Sequence, residues 1–379
     1  MNKRTPILSI IVPIYNEEKT LSLCIDKVRK IEDENLRLEI ILVDDCSTDN
    51  SLVEAKAIEK KYGNIKLVSH TTNQGKGAAI RTGIAHTSGD FVAIQDADLE
   101  YDPNELKKLI VPLVNDEADV VLGSRYLTGD LHRVLYFWHT QGNRLLTFLS
   151  NMFTDLNLTD METCYKVFRA EVIKSIEIEE NRFGFEPEII AKISQMRVRI
   201  FEMGISYRGR TYEEGKKIGF KDAIRTLYCI LHYNGHSAPI PLQFMIYVVL
   251  GGIAALVNLF VFISLYSINL PVEYAAPIAF AAGAIVNYLL IIALLFRHKA
   301  RWSTPVELLL YTLIVALVGL FDLGITITLI ESGISPQLSK IIASILGVLL
   351  NFSARRFIVF PEPTPGPWKP QNPFVTKGQ

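Results

Sequence analysis

The sequence changes character near its middle, and this change limits what the chain can fold into. From Pro241 to Phe360 charged side chains almost vanish, whereas residues 1 to about 235 carry charges throughout. A backbone that crosses a bilayer has to satisfy its own hydrogen bonds, so long uncharged stretches indicate transmembrane helices. We therefore expect a soluble domain over residues 1–235 and a helical membrane domain over residues 241–360.

The membrane half predicts four helices. Uncharged stretches of 25 and 22 residues, 242–266 and 275–296, are each long enough to cross the hydrocarbon core. The third span, 308–330, contains one acid, Asp322. The fourth, 338–354, is uncharged only over its last 14 residues.

An internal repeat supports this fourth span. Three positions of the first helix pair have counterparts 64 residues later, with the same spacings of 29 and 9 residues. They are Asn258, Asn287 and Phe296, which correspond to Asp322, Asn351 and Phe360. A second helix pair therefore repeats the first. Polar side chains inside a membrane indicate either function or hydrogen bonding between helices, and both interpretations stay open here.

The distribution of positive charge predicts the orientation. Lys and Arg are enriched in cytoplasmic loops. They precede the first span, fill the second loop and follow the fourth span, as Lys216, Lys217, Lys221, Arg225, Arg297, Lys299, Arg301, Arg355 and Arg356. The first opposite loop, 267–274, has none, and the other has only Lys340 at its edge. We expect a multi-pass protein of the plasma or inner membrane with the soluble domain and both termini in the cytoplasm.

The soluble half alternates short apolar runs with helical patterns, which is typical of a doubly wound α/β sheet. The runs that predict strands are 7–12, 38–43, 65–69, 91–95 and 119–123. Ligands of such sheets bind beyond the carboxyl ends of the strands. No GxGxxG follows the first strand, so a dinucleotide site is not expected.

Polar clusters follow these strands. The fourth ends in QDADLE, residues 95–100, where Asp96 and Asp98 offer the hard oxygen ligands that Mg²⁺ or Mn²⁺ shares with substrate phosphates. The alternative is an ordinary turn, because one Asp-x-Asp arises by chance in a chain of this length. The glycine-rich turn 73–77 before a helix predicts an anion site, to which Lys76 adds a charge.

Five motifs in order, IVPIYNEE, VDDCSTDN, NQGKGAA, QDADLE and GSRY, resemble family-2 glycosyltransferases of the GT-A fold. The similar subset is the dolichol-phosphate mannose and polyprenyl-phosphate glucose synthases, over roughly residues 7–230. The resemblance implies an inverting transfer of one hexose from GDP-mannose or UDP-glucose to a polyprenyl or dolichyl phosphate. The product would be a lipid-linked sugar donor for cell-envelope or protein glycosylation.

The resemblance also implies roles for single residues. Donor binding is expected from Pro13, Tyr15, Asn16, Glu17, Val43, Asp45, Lys76, Asp96 and Ala97. A Mg²⁺ or Mn²⁺ ion would be held by Asp96, Asp98 and Glu100, with Glu100 standing where the mannose synthases usually have glutamine. Asp98, Arg125 and Arg210 are the expected catalytic residues, since the arginine fork suits phosphate.

Acceptor binding is expected from Arg125, Arg144, Asp160 and Lys216. Asp160 lies in a turn that resembles the family's acceptor-side turn, and capping is its alternative role. Arg210 and Lys216 belong to a stretch that resembles the basic loop over the diphosphate. Residues 133–153, with Arg133 and many aromatics, predict either a core helix or a membrane-surface helix that contacts the lipid.

The membrane half resembles the GtrA-like four-helix module, through Asn287-Tyr288 and through Asn351-Phe352 with Arg355-Arg356. A homo-oligomer formed through this module is compatible with the sequence. Two other functions stay open. One is a processive polysaccharide synthase, although its QxxRW motif is missing from the sequence, and the other is a nucleotide-binding membrane carrier or flippase.

Composition excludes several other classes. A net charge of −1 gives no basic field, so no nucleic-acid partner is expected. The four cysteines lie far apart without metal-binding spacings, which indicates reduced thiols. The N-terminus leads directly into a strand, so we expect no signal peptide. The proline-rich residues 361–379 predict a disordered tail.

Overall fold

The computed structural model describes residues 4–127, 134, 136–209, 220–296, 302–361 and 368, with the backbone alone at 220 and 340. The predicted phosphate ligands Arg210 and Lys216 lie outside these residues, as do Arg133 and most of the tail. At Trp368 the backbone N–H donates to the carbonyl of Met196 (3.0 Å). The chain divides into two compact units between Ile230 and Leu231, slightly before the predicted boundary.

The first unit is built on a seven-stranded sheet with the strand order β3-β2-β1-β4-β6-β5-β7. Its strands are β1 Ile7–Ile14, β2 Arg37–Asp44, β3 Ile65–Ser69, β4 Phe91–Ile94, β5 Val120–Ser124, β6 Lys166–Arg169 and β7 Ile200–Gly204. All five predicted strands are present, and β3 has the predicted ends. The central strands β1, β2 and β4 are largely buried, which explains why their sequences are continuous apolar runs.

The helices of this unit connect the strands. They are α1 Leu21–Arg29, α2 Ser51–Lys61, α3 Lys76–Ala85, α4 Glu105–Leu109, α5 Val111–Val114, α6 Phe137–Thr154, α7 Ala170–Lys174, α8 Phe185–Met196 and α9 Phe220–Asn234. One face of α1 is buried, at a spacing of three or four residues, through Leu21, Cys24, Ile25 and Val28. The predicted α/β fold class is therefore confirmed.

Two strands, β6 and β7, were not predicted. β6 runs antiparallel between β4 and β5, which makes the sheet mixed. It begins and ends with basic residues that are both buried. Lys166 Nζ donates to the carbonyl of Met161 (3.3 Å), and Arg169 Nε donates to Asp119 (3.0 Å). Because these cations are satisfied inside the domain, the strand lacks an apolar pattern. β7 is an edge strand, and none of its residues is fully buried.

The second unit contains four helices that are long and apolar enough to cross a membrane, which confirms the predicted number. They are α10 Ile240–Ser267, α11 Val272–Leu294, α12 Thr304–Glu331 and α13 Pro336–Ala354. A π-helical turn, Arg355–Val359, continues α13, so the fourth apolar stretch reaches 24 residues. α10 packs against α11 and α12 against α13, in the pairs that the repeat predicts.

Two of the repeated asparagines, Asn287 and Asn351, lie in the second halves of α11 and α13. Asn287 Nδ2 donates to the hydroxyl of Tyr311 (3.4 Å), which links α11 to α12. Oδ1 of Asn287 and of Asn351 is buried without a hydrogen-bond partner among the described residues. Arg355 is buried with its guanidinium 4.2 Å from the ring centroid of Tyr311. The bond across the repeat supports the structural interpretation for Asn287.

Candidate active site

The carboxyl ends of β1, β2 and β4 meet at one edge of the sheet. β1 pairs in parallel with both β2 and β4, so the strand order reverses beside it. Such a reversal opens the crevice in which α/β sheets bind ligands. Each of the three ends leads to a non-glycine residue with positive φ, Asn16 (57°), Cys46 (59°) and Leu99 (63°). This conformation costs an L-residue about 1–2 kcal/mol, and strain of this kind clusters at functional sites.

The predicted donor-binding residues all lie along this edge. They are Pro13, Tyr15, Asn16 and Glu17 at the end of β1, Val43 and Asp45 at the end of β2, Lys76 at the start of α3, and Asp96 and Ala97 after β4. The Asn16 N–H donates to Ser47 Oγ (3.1 Å), and the Thr48 N–H donates to Asn16 Oδ1 (2.8 Å). These bonds tie the ends of β1 and β2 together and leave Tyr15 exposed.

Asp45 is buried, and its oxygens bind within the protein. Oδ1 accepts from the Gln74 N–H (2.9 Å) and lies 2.7 Å from His70 Nδ1, and Oδ2 accepts from the Gly75 N–H (2.7 Å). Asp45 therefore positions the glycine-rich turn, and its contact with the nucleoside stays a prediction. The adjacent Asp44 is also buried, and its Oδ1 has no hydrogen-bond partner in the described part of the chain.

The glycine-rich turn places Lys76 beside Asp96. Gly75 has φ 101°, and a Cβ there would collide with the carbonyl oxygen of Asn181, so the turn needs glycine. α3 begins at Lys76, two residues earlier than predicted. Lys76 Nζ lies 3.1 Å from Asp96 Oδ1 and 3.2 Å from Glu186 Oε1. Burial opposes its charge, but the neighbouring acids, Asp96 foremost, raise the pKa of Lys76 well above its usual value.

The segment that supports this turn is held by α9. The carbonyl of Asn181 accepts from the Ala78 N–H (3.1 Å), and Asn181 Oδ1 accepts from Arg81 (2.7 Å). Glu180 binds Arg225 of α9 through two bonds, Nε to Oε2 (3.1 Å) and Nη2 to Oε1 (2.5 Å). The helix that leads towards the membrane spans is thus bonded to the segment behind Lys76.

Asp96 and Asp98 have the charge and the donor atoms that a divalent cation requires. Burial and then the charges of Asp98 and Asp96 raise the pKa of the Cys24 thiol to about 12. Glu100 Oε2 accepts from the Tyr207 hydroxyl (2.6 Å). Within the described residues no three His, Cys, Asp or Glu side chains are grouped to hold a metal ion. The acid pair fits Mg²⁺ or Mn²⁺ with further ligands from a substrate, and a metal contact by Glu100 stays a prediction.

Arg125 and Asp160, two predicted acceptor residues, bind each other. The Arg125 guanidinium donates from Nε to Asp160 Oδ2 and from Nη2 to Oδ1, each at 2.7 Å, and the Arg125 N–H also donates to Oδ2 (3.0 Å). Their side chains are 6% and 0% exposed. Asp160 therefore fixes the position of Arg125 and does not cap a helix.

Arg144 lies near the same place. The guanidinium carbons of Arg125 and Arg144 are each 5.8 Å from the ring centroid of Tyr126. Asn143 Nδ2 donates to the Tyr126 hydroxyl (3.3 Å). Tyr126 thus joins two of the predicted acceptor-binding arginines.

α6 exposes most of its large apolar side chains. Its exposed members include Phe137, Trp138, Leu145, Phe148 and Met152, with Trp138 82% exposed. Its buried residues are Thr147, Ser150 and Phe153. Most of its apolar surface therefore faces away from the domain core, so the core interpretation is wrong for the exposed face. α9 likewise exposes Ile224, Leu227 and Tyr228.

Glu162 and Glu186 were not predicted as site residues. Glu186 lies in the first turn of α8, where the helix dipole alone explains an acid. Glu162 lies in the turn before β6. Burial and then the charge of Glu186 raise the pKa of Glu162 to about 7. No local pattern indicates this pair, because the two acids are 24 residues apart and meet only in the folded chain.

Solved structures give a distant likeness. A crystal structure of glucosyl-3-phosphoglycerate synthase from Mycobacterium tuberculosis, in complex with Mn²⁺, UDP and glucosyl-3-phosphoglycerate, matches with a TM-score of 0.48 and 20% identity. The match covers 61% of this chain and 80% of that chain.

Sequence relatives cover more of the chain. A dolichol-phosphate mannosyltransferase of Pyrococcus furiosus is 27% identical over 93% of this chain and 97% of its own length. A dodecaprenyl-phosphate galacturonate synthase of Rhizobium johnstonii is 30% identical over 59% of this chain, and a dolichyl-phosphate beta-glucosyltransferase of Trichomonas vaginalis is 29% identical over 53%. These two matches span 65% of each relative, just under two thirds.

Family models match both units. Residues 9–177 match Glycosyl transferase family 2, and residues 246–360 match the GtrA/DPMS transmembrane domain. Both resemblances drawn from the sequence are thereby confirmed. The chain is a glycosyltransferase in which a family 2 catalytic domain is followed by a GtrA/DPMS transmembrane domain.

Proposed function

We propose that this integral membrane enzyme transfers one hexose from a nucleotide diphosphate sugar to a polyprenyl or dolichyl phosphate. The observation that carries the proposal is the pair Asp96 and Asp98 at the reversal of strand order, with Arg125 at the same edge of the sheet. β4 and β5, which lead to these residues, are two strand spacings apart, about 10 Å. That span accommodates a hexose between two phosphates. The activities of the three relatives, each named for a dolichyl or dodecaprenyl phosphate, support a prenyl-phosphate acceptor.

The chemistry that this site has to provide is positioning and charge neutralisation. A phosphate monoester has a second pKa near 6, so it is mostly dianionic at neutral pH and needs no general base. Its oxygen forms a bond to the anomeric carbon while the bond from that carbon to the donor diphosphate breaks, which inverts the configuration. A divalent ion at Asp96 and Asp98 would neutralise the leaving diphosphate. Arg125 and Arg144 would hold the acceptor phosphate in line.

The exposed apolar face of α6 supports a catalytic domain that lies on the membrane surface. A buried isoprenoid tail keeps its phosphate at the headgroup level, so the acceptor site has to lie there too. We propose the cytoplasmic face, because the Lys and Arg residues flank the spans on that side.

Trp138 is expected to insert into the lipid interface. In a variant whose other two tryptophans, Trp302 and Trp368, are replaced by phenylalanine, the fluorescence of Trp138 should be strongly quenched in nanodiscs that contain brominated acyl chains. A matched variant that keeps only Trp368 should be quenched weakly. Equal quenching of the two variants would refute the membrane-surface position of α6.

The donor and acceptor are tested together. The detergent-purified enzyme is incubated with radiolabelled GDP-mannose or UDP-glucose, with undecaprenyl or dolichyl phosphate, and with Mg²⁺ or Mn²⁺. We expect label in the lipid phase from one donor, dependent on the prenyl phosphate and abolished by EDTA. The labelled lipid should carry a single hexose.

Other outcomes identify the other functions. Label in a long polymer would indicate a processive synthase. Nucleotide binding without transfer from any donor would refute the proposal and favour a carrier or flippase. The missing QxxRW motif argues against the first of these, and the intact acid pair argues against the second.

A further inference from the structure

Two acids, the buried Glu186 and the partly buried Glu162, adjoin the proposed diphosphate site. Glu186 is 4% exposed and shares the ammonium of Lys76 with Asp96, at 3.2 Å and 3.1 Å. Two ion pairs that share Lys76 therefore connect Glu186 to Asp96, the first acid after β4.

Glu162 is placed between the donor and acceptor sides by the sheet itself. β6 is antiparallel and lies between β4 and β5, so its first residue, Lys166, is at the carboxyl edge of both neighbours. The turn that precedes β6 contains Glu162. It therefore lies at the edge between Asp96, after β4, and Arg125, after β5. A sugar in transfer has to occupy this interval, since it is bonded to the leaving diphosphate and attacked by the acceptor phosphate.

Three oxygens in this interval lack a hydrogen-bond partner among the described residues. Oε2 of Glu186, Oε1 of Glu162 and Oγ1 of Thr163 are buried and have no hydrogen-bond partner among the residues that the structure describes. A buried acceptor left unsatisfied costs roughly 1–3 kcal/mol, and more when it is charged. Native proteins keep such groups rarely, and a bound ligand is one physical reason to keep them. The two carboxylate oxygens lack hydrogen-bond donors, and the Thr163 hydroxyl can either accept or donate.

The charges select among possible ligands. Asp96, Glu162 and Glu186 are acids, while Lys166 donates to backbone carbonyls, among them that of Met161. A ligand that carries its own carboxylate would meet like charges at short range, which disfavours it. A ligand with several hydroxyl groups and no charge satisfies the three oxygens.

We propose that Glu162, Glu186 and Lys76 form a pocket that binds the ring hydroxyls of the transferred sugar, and that this sugar is a neutral hexose, not a uronic acid. This inference rests on the proposed function and deepens it. The carboxylates accept hydrogen bonds from the hydroxyls, and Lys76 holds Glu186 in position. They are specificity-determining residues, and the bonds that change during transfer involve none of their atoms.

The test uses donors that lack single hydroxyl groups. Wild type and the variants Glu162→Gln and Glu186→Gln are assayed in detergent with the accepted hexose donor and with its monodeoxy analogues. We expect each variant to lose about 10- to 100-fold in kcat/KM with the intact donor, as for hydrogen bonds to charged groups. With one of the deoxy donors, the kcat/KM of wild type should fall by a similar factor relative to the intact donor. The kcat/KM of the variant should fall little further with that deoxy donor, because the hydrogen bond is already missing. Binding of the free nucleoside diphosphate should be unchanged.

A uronate donor gives a second readout. The ratio of kcat/KM for a nucleotide hexuronate to that for the hexose should rise at least about tenfold in Glu186→Gln, because a like charge is removed. Glu179→Gln is the matched control, since Glu179 lies on the same segment with its carboxylate half exposed and bound to Lys192. Its kinetics should equal those of wild type.

The outcomes separate the two proposals. If wild type transfers no hexose from any donor, the proposed function itself fails. If wild type transfers hexose but both variants keep wild-type kcat/KM, the sugar pocket is refuted. It is also refuted if every deoxy donor lowers the kcat/KM of the variants by the same factor as it lowers that of wild type. Efficient transfer of a uronate by wild type would refute the neutral-sugar assignment.

Discussion

Replacing Asp98 with asparagine is expected to lower the rate of hexose transfer by about a thousandfold. Loss of one charged ligand removes several kcal/mol of charge stabilisation from the leaving diphosphate, and each 1.4 kcal/mol is a factor of ten. Asparagine keeps the size of the side chain and the oxygen that accepts from the Glu100 N–H (3.1 Å). The turn should therefore keep its shape, and the loss should fall on the chemistry.

The measurement is lipid-phase label per minute at saturating donor, with a titration of Mn²⁺. Asp102→Asn is the matched control, because Asp102 is exposed on the same loop and its carboxylate accepts hydrogen bonds from the backbone and side-chain amides of Asn104. It should transfer at the wild-type rate. An Asp98→Asn enzyme that keeps more than about a tenth of wild-type activity would contradict the assignment of Asp98 to the metal and diphosphate.

Replacing Asp160 with asparagine is expected to destabilise the catalytic domain by about 3–5 kcal/mol, because it leaves the charge of Arg125 buried without its partner. For a domain of this size the melting temperature should fall by about 6–20 °C. Burial opposes the charge of Arg125, and the carboxylate of Asp160 raises the pKa of the guanidinium well above its usual value. A guanidinium stays protonated in proteins, so the Asp160 variant leaves a buried charge without its partner.

Unfolding can be followed by the cysteines of the same domain. Cys24, Cys164 and Cys229 are buried free thiols, so a thiol-reactive fluorophore reports their exposure on heating. Asp33→Asn is the matched control, since Asp33 forms an ion pair with Lys107 (2.6 Å) in which the side chains are 40% and 38% exposed. An exposed pair contributes about 1 kcal/mol or less. Equal decreases in the melting temperature of the two variants would show that the buried ion pair contributes no more to stability than the exposed one.

Residues that end strands were predictable from the sequence. An apolar run predicts a buried strand, and the parallel arrangement brings the polar residues that follow to one edge. This reasoning alone found Asp96, Asp98 and Lys76, and the resemblance added Tyr15 and Asn16. Their contacts are local to the strand ends, so a linear pattern is sufficient to indicate them.

Residues that depend on contacts across the sheet were not predictable. Arg125 and Asp160 were each expected at the acceptor, but their mutual pairing depends on how β5 meets the turn before β6. β6 itself was missed because its basic ends are buried and hydrogen-bonded inside the domain. Glu186 follows a helix start that explains an acid without any ligand. The roles of these residues can be assigned only from their contacts in the folded domain.

The pair between Arg225 and Glu180 determines where this enzyme can be shortened. A water-soluble version that ends at residue 219, before α9, would lose the guanidinium that fixes Glu180. The carbonyls on which the glycine-rich turn rests would lose an anchor, and Lys76 would lose its fixed position. A shortened enzyme for crystallisation or inhibitor screening should therefore end after Ile230. It would keep the exposed apolar face of α9, and it would also keep the donor site intact.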